Sequence, residues 1–345
     1  MSGQDAAAAV GPQRAGQRPD VEAPDRADRL ARLFQRNGAL IVLVVVAVVG
    51  ALAFGTFGTA ENLKNIAINN AFVALVAFGM TFVIISGGID LSVGSVFALG
   101  GVLAGWGAQH GFLVALLTPL VVCTGIGVVQ GLLIARVGLA AFIVTLAGLL
   151  GARGLLLSLT DEGAKTYLID RDSAFAWLGQ GDLLGIRVPI LITLVALVAG
   201  VVVLRRTRFG QSLFAIGGSE SASLLMGLPV RRSKTLVYAL SGFLAGLAGA
   251  LLAARTSSGV PTVGVGLELD AIAAVVIGGT LLSGGAGALT GTLAGVLLLG
   301  VIQNLINQVG GLSSSYQAVV SGAFLIVVVL IQTYLSRRQR LPGEG

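Results

Sequence analysis

The stretch SGGIDLSVG, residues 86–94, separates two long apolar segments and carries a carboxylate between them. Its three glycines favour a break in regular helix, because glycine tolerates backbone conformations that other residues avoid. A charged side chain at the centre of a bilayer costs about 2.5–3.5 kcal/mol. We therefore expect Asp90 at a helix end, in a polar cavity, or neutralised by its surroundings.

The composition of the whole chain indicates a protein built for lipid. Of its 345 residues, 55% are hydrophobic and 11% are charged, whereas soluble domains average about 25% charged residues. The net charge of +6 does not indicate nucleic-acid binding, because most arginines flank apolar segments and no basic face carries interleaved aromatic residues. The sequence predicts an all-α polytopic membrane protein.

A membrane-spanning helix needs about 20 mostly apolar residues, and ten segments approach that requirement. They are 38–54, 66–86, 91–108, 112–135, 139–157, 188–204, 235–254, 268–283, 286–306 and 316–335. The segment 268–283 is short and has Glu268 and Asp270 at its start. We expect about ten transmembrane helices.

The charges between these segments predict the domain organisation and the orientation in the membrane. Residues 1–37 carry six arginines and five acidic residues and are expected to form a disordered cytoplasmic tail. Residues 38–336 form the transmembrane domain, and 337–345 form a second cytoplasmic tail. The segment 205–234 has a net charge of +5 and 158–187 a net charge of −2, so the first is expected inside and the second outside.

A weak internal repeat accompanies the opening stretch. SGGIDLSVGS at 86–95 aligns with SGGAGALTGT at 283–292, at an offset of 197 residues. Glycine-interrupted segments in corresponding positions are typical of transporters built from repeats. The alternative is coincidence in a chain that contains 51 glycines. Asp90 aligns with Gly287, so the carboxylate belongs to one copy only.

Many of the glycines have the four-residue spacing that lets membrane helices approach closely. Examples are Gly127 with Gly131, Gly242 with Gly246 and Ala250, and Gly287 with Gly291 and Gly295. We expect these residues to pack helices rather than to bind a ligand.

Polar residues inside the apolar segments are candidates for a translocation pathway. Asp90 is expected first to cap the helix that follows it; a pathway role or a proton relay are the alternatives. Neutral amides suit the hydroxyl groups of a sugar, although they also serve as contacts between helices. The candidate pathway residues are Asn69, Asn70, Ser86, Asp90, Ser92, Gln303, Asn304 and Asn307.

The basic loop 205–234 is too long for a simple turn. Ser219 is expected to cap a short helix that Pro229 ends. Its apolar side requires a partner in the cytoplasm, and docking to another protein is favoured over resting on the membrane. The residues assigned to this helix are Ser219, Glu220, Ala222, Leu224, Leu225, Met226, Gly227 and Leu228.

The sequence lacks the residues that nucleotide binding, metal binding and disulfide formation require. The phosphate-binding pattern G-x-x-x-x-G-K-[ST] is missing. The single histidine, His110, and the single cysteine, Cys123, cannot build a metal site or an internal disulfide. We expect no enzyme activity, no metal and no cofactor bound by this chain.

Four stretches in order complete a resemblance to a known family. They are GGIDLSVGS, then TRFG…AIGG…LMGLPVRRSK, then LSGFLAGLAGALLAAR, then ELDAIAAVVIGGTLLSGG. Together they resemble the permeases of ribose-type sugar ABC importers, the second carbohydrate uptake family, over about residues 40–336. Branched-chain amino-acid permeases share the glycine-rich character but match these stretches less well.

The resemblance implies a function and a set of partners. It implies a permease of the bacterial inner membrane that imports a monosaccharide and works as a dimer. Two ATP-hydrolysing subunits that bind ATP and magnesium would dock inside, and a periplasmic sugar-binding protein outside. The stretch VIQNLINQVGGLSSSYQ further resembles a galactofuranose-type permease, whose dimer is hetero. The alternatives are a branched-chain amino-acid or nucleoside importer and a secondary sugar transporter.

Overall fold

The structure is a computed structural model that describes residues 26–309 and residues 319, 322, 323 and 326, with side chains from Gly38 onward. Twelve α-helices and four two-residue strands are formed within residues 26–309. The helices are α1 Arg26–Ala53, α2 Ala60–Ile85, α3 Val93–Ala108, α4 Phe112–Leu132, α5 Ala141–Leu159, α6 Ala174–Gln180, α7 Val188–Arg206, α8 Arg208–Gly218, α9 Glu220–Leu225, α10 Val230–Thr256, α11 Leu267–Ile277 and α12 Leu289–Val309. Residues Leu133–Val137 extend α4 as a π-helical turn that ends at Gly138, whose φ is 82°.

Helix α10 lies at the centre of the bundle, packed against α2, α3 and α4. Glycines allow this close approach. A Cβ at Gly127 in α4 would overlap the carbonyl oxygen of Tyr238, and one at Gly249 in α10 would overlap that of Phe97 in α3. A Cβ at Gly295 in α12 would likewise overlap the carbonyl oxygen of Ala274 in α11. The expectation that four-residue glycine spacing serves helix packing is confirmed.

Six helices of the described residues are long and apolar enough to cross a membrane: α2, α4 with its π-helical extension, α5, α7, α10 and α12. Two shorter apolar helices, Gly38–Ala53 and Val93–Ala108, add to them. The chain is thus a mostly helical, multi-pass membrane protein, and the expected count of about ten spans is not confirmed. The segment 316–335 lies outside the described range except for its four isolated residues.

The segment 268–283 does not form a full span. Helix α11 ends at Ile277, and the chain turns at Gly279, whose φ is 90°. Eleven residues of helix extend about 16 Å, half of the hydrocarbon thickness. Its first turn carries Glu268 and Asp270, which is favourable because acidic groups complement the positive end of the helix dipole.

Two further boundaries differ from those expected. Helix α1 begins at Arg26, so the end of the segment expected to be disordered is helical; its alanines, leucines and arginines are good helix formers. The segment 205–234 contains α8 and α9, and its last residues begin α10 at Val230.

Three of the four strands lie in the connection between α5 and α7. Strand β1, Tyr167–Leu168, pairs antiparallel with β4, Ser258–Gly259, which follows α10. Strands β2, Asp182–Leu183, and β3, Ile186–Arg187, form a hairpin. A Cβ at Gly105 of α3 would lie 2.9 Å from the carbonyl oxygen of Tyr167, so the β1–β4 pair is packed on α3.

Candidate functional site

Two glycine turns that share a left-handed glycine and one hydrogen bond connect α2 to α3 and α11 to α12. We call residues 86–92 the first seam and residues 278–288 the second seam. Gly87 has a φ of 81° and Gly284 a φ of 85°. The Gly87 nitrogen donates to the oxygen of Ile84 at 2.9 Å, and the Gly284 nitrogen donates to that of Leu281 at 2.9 Å. These positions are all related by the offset of 197, so the internal repeat predicted from the sequence is a shared turn.

The two seams also touch each other. The nitrogen of Gly285 in the second seam donates to the carbonyl oxygen of Ile85, the last residue of α2, at 2.9 Å. A Cβ at Gly284 would lie 3.0 Å from the nitrogen of Gly87. Near the seams, the buried hydroxyls of Thr81 in α2 and Thr292 in α12 are hydrogen-bonded at 2.7 Å. The repeated turns therefore form one backbone contact at the same end of the bundle.

Asp90 is buried in the first seam and accepts three hydrogen bonds. Its Oδ1 accepts from the backbone nitrogen of Ser92 at 2.9 Å and from the Ser92 hydroxyl at 2.6 Å. Its Oδ2 accepts from the hydroxyl of Ser241, in α10, at 2.7 Å. Helix α3 begins at Val93 with Ser92 in the N-cap position. The expected capping of α3 by Asp90 is therefore wrong: the carboxylate lies ahead of the cap and connects the first seam to α10.

Gln130 of α4 extends this network. The Ser92 hydroxyl lies 3.2 Å from Gln130 Oε1 and 2.6 Å from Asp90 Oδ1. Ser92 has one hydroxyl proton, and the shorter contact to the carboxylate is the stronger. The contact to Gln130 Oε1 is therefore the weaker of the two, and Gln130 Nε2 is buried without a hydrogen-bond partner among the described residues. The resulting hydrogen-bonded chain connects α4, the first seam and α10.

The amides among the pathway candidates lie towards the opposite end of α2. Asn304 of α12 and Asn62 of α2 exchange two amide hydrogen bonds, of 2.8 and 3.1 Å. Gln308 Nε2 donates to Asn304 Oδ1 at 2.7 Å and Gln308 Oε1 accepts from the Thr56 hydroxyl at 3.0 Å. Asn304 thus connects two helices, which is the alternative role for these amides.

The other amides divide between packing and exposed positions. Asn70 donates to the oxygen of Ile66 at 2.8 Å, and its side chain fills the space above Gly300 of α12. Asn69, Gln303 and Asn307 are exposed, and Asn69 accepts from Arg255 at 3.4 Å. Ser86, by contrast, is buried and donates to the oxygen of Val83 at 2.8 Å. The structure therefore joins Asp90 to Ser92, places Ser86 at the start of the same seam, and keeps the amides apart from them.

Helix α9 is the short helix expected between Ser219 and Pro229. The Ser219 hydroxyl accepts from the nitrogen of Ala222 at 3.3 Å, as an N-cap does. The helix ends at Leu225 rather than at Pro229, because the chain turns at Gly227, whose φ is 76°. A salt bridge of 2.6 Å between Glu220 and Lys234 connects α9 to α10.

One side of α9 is an exposed apolar surface. Leu225 is 90% exposed, Met226 68% and Leu224 53%. Ala222 is also exposed, Leu228 is half-buried and Ser223 is buried against the bundle. Large apolar residues standing together on a surface mark a contact with lipid or with another protein.

The sequence did not single out Ser241, Gln130 or Gly217 as members of the site. Ser241 and Gln130 are isolated polar residues in apolar helices, a pattern that predicts a buried partner but not its identity. Gly217 precedes the cap of α9, and only the fold places it against both seams.

Comparison with known proteins decides the family of this chain. The family model described as "Branched-chain amino acid transport system / permease component" matches residues 62–329. The chain belongs to this permease family. Its members are permease components of ABC transporters and are not enzymes. No solved structure gives a significant match to the permease.

Curated relatives of the permease include sugar importers. It is 44% identical over 271 residues to the ribose import permease protein of Bacillus subtilis, covering 78% of this chain and 82% of the relative. It is 36% identical over 336 residues to the L-arabinose ABC transporter permease protein of Azospirillum brasilense, covering 96% and 98%. It is 44% identical over 279 residues to the inner membrane ABC transporter permease protein YjfF of Escherichia coli, covering 79% and 83%.

Proposed function

We propose that this permease carries a monosaccharide, a pentose or a hexose, inward across the bacterial inner membrane and is driven by a separate ATPase. The names of the related ribose and arabinose permeases support the choice of a sugar. The chain lacks a phosphate-binding loop of its own. ATP and magnesium are therefore assigned to the partner ATPase, and a binding protein outside the membrane delivers the sugar.

The exposed apolar side of α9 is the main observation that supports a docking site for the ATPase. Arginines before α8 and at the start of α10 bracket the segment, which orients it to the cytoplasm with both termini. Leu224, Leu225 and Met226 are exposed there, and their burial in a groove of the ATPase removes apolar area from water. We assign α9 as the coupling helix.

We propose that the sugar passes where amide side chains of the apolar helices α2 and α12 are exposed. Asn69 of α2 and Gln303 and Asn307 of α12 are exposed, and amides in contact with lipid tails are unfavourable. A second permease chain, identical or related, would cover these amides and enclose an aqueous path between the two chains. Exposed amides are expected along an aqueous path, whereas they are unfavourable on a surface that faces lipid.

Reconstitution tests this proposal. The permease in proteoliposomes is supplied with its ATPase, ATP and the sugar-loaded binding protein, and uptake of radiolabelled ribose, arabinose and galactofuranose is measured. We expect uptake only when the ATPase and ATP are both present. Uptake at the same rate without the ATPase would overturn the proposal and favour a secondary transporter. ATP-driven uptake of leucine or a nucleoside, but of no sugar, would overturn the assignment of a sugar and leave the assignment as an ATP-driven importer standing.

A further inference from the structure

The end of α8 lies against both seams at once. A Cβ at Gly217 would overlap the carbonyl oxygen of Ile85 and the nitrogen of Gly285, the two atoms whose hydrogen bond joins the seams. A Cβ at Gly285 would lie 2.9 Å from the nitrogen of Gly218. Three backbones therefore meet here without side chains between them. They come from the first seam, the second seam and α8.

The same residues are the only covalent link between α8 and α9. Gly218 ends α8, and Ser219, the next residue, is the N-cap of α9. On its other side, α9 is connected to α10 by residues 226–229 and by the salt bridge from Lys234 to Glu220. A displacement of α9 can therefore reach the bundle through α10 and, through Ser219 and α8, the contact that Gly217 makes with the seams.

The two ends of the first seam are held by different kinds of contact. Hydrogen bonds from Ser92 and Ser241 hold Asp90 in place against α10. At the other end of the same seam, Gly87 is exposed, and the nearest atom to a Cβ there is the Cα of Gly217 at 3.8 Å. Backbone atoms packed this closely through glycines leave no free space between them, so a displacement of Gly217 pushes on the atoms of both seams. The contact is suited to transmitting motion rather than to resisting it.

We propose that Gly217 is the positioning residue through which motion of α9 reaches both seams together, so that one movement of the ATPase acts on the two repeated turns in concert. This inference rests on the proposed ATP-driven import, in which α9 meets the ATPase. The new element is the route: motion reaches both halves of the repeat through the contact at Gly217 and not through α10 alone.

A matched pair of alanine variants tests the proposal in the reconstituted importer. Gly217→Ala inserts a methyl group between the seams, whereas a Cβ at Gly218 meets nothing within 4 Å. We expect Gly217→Ala to lower sugar uptake several-fold, because the added methyl group overpacks the contact and separates α8 from the seams. Basal ATP hydrolysis and co-purification of the ATPase should persist, while stimulation of hydrolysis by the loaded binding protein is lost. Gly218→Ala should match the wild type in all of these.

A second measurement avoids any variant at the contact. Nitroxide labels are attached in pairs, and the distance between the two labels is measured. One label of each pair is the reference at Val129→Cys on α4. The other is at Ser221→Cys on α9 or at Leu282→Cys in the second seam, and all three residues are exposed. When ATP is trapped on the ATPase, we expect both distances to the reference to change together. A change for position 221 with none for position 282 would overturn the proposal.

The outcomes separate this inference from the proposed function. If wild-type uptake needs the ATPase but Gly217→Ala transports normally, the inference fails and the importer stands. If wild-type uptake needs no ATPase, both fail. If Gly217→Ala does not fold, the label distances in the otherwise unaltered chain decide.

Discussion

The hydroxyl of Ser241 donates to the carboxylate of Asp90 at 2.7 Å, and so joins two residues that are 151 positions apart in the chain. The contact is buried and is completed by two hydrogen bonds from Ser92. A buried donor that loses its acceptor costs about 1–3 kcal/mol. Asp90 is therefore a structural connection between the first seam and α10, whatever further role it has in transport.

Replacing Asp90 measures this connection. We expect Asp90→Ala to lower the free energy of unfolding by about 1–3 kcal/mol, because it leaves the buried donors of Ser92 and Ser241 unpaired. Asp90→Asn keeps an acceptor and should cost less. The measurement is thermal unfolding of the purified permease in detergent, followed by circular dichroism. Unchanged stability combined with lost uptake would instead indicate that Asp90 acts in the pathway.

The exposed leucines of α9 give a second prediction. Leu224→Asp with Leu225→Asp should abolish co-purification of the ATPase and ATP-driven uptake while the permease stays folded, because charges would oppose burial of this surface. Leu184→Asp is the matched control, since Leu184 is 95% exposed in the β2–β3 hairpin. It should leave the ATPase bound. Normal uptake by the α9 variant would remove the coupling assignment.

Glycine packing gives a third prediction, within one helix. A Cβ at Gly127 would overlap the carbonyl oxygen of Tyr238, whereas a Cβ at Gly125 meets nothing within 4 Å. Gly127→Ala should therefore destabilise the α4–α10 contact by about 1–3 kcal/mol, and Gly125→Ala should leave stability unchanged or slightly raised. Unfolding in detergent compares the two variants. Equal stabilities would show that α4 and α10 can separate enough to admit a methyl group.

Features encoded within a few residues were predictable from the sequence. The Ser219 cap, the short helix after it and the matched glycine turns at 87 and 284 were all expected, because caps and turns depend on local residue types. The short helix is nevertheless shorter than the sequence predicts, since the turn at Gly227 precedes Pro229.

Features that depend on distant partners were not predictable in the same way. Asp90 was expected to cap its own helix because Ser241 lies 151 residues away in the chain, and nothing local signals that contact. The sequence around Asn304 fits a sugar contact and a helix contact equally well, and only its hydrogen bond to the distant Asn62 identifies the helix contact. The length of α11 was overestimated because glycine turns interrupt an apolar run that hydropathy alone treats as continuous.

The meeting of Gly87, Gly217 and Gly284 has a consequence for how such permeases diversify. Only main-chain atoms touch there, so the junction carries no chemical preference for one solute over another. Selection for a new cargo can rewrite side chains on the solute-facing helices without altering this part. We expect chimaeras that exchange those helices between relatives to remain driven by the ATPase, as long as all three glycines are retained.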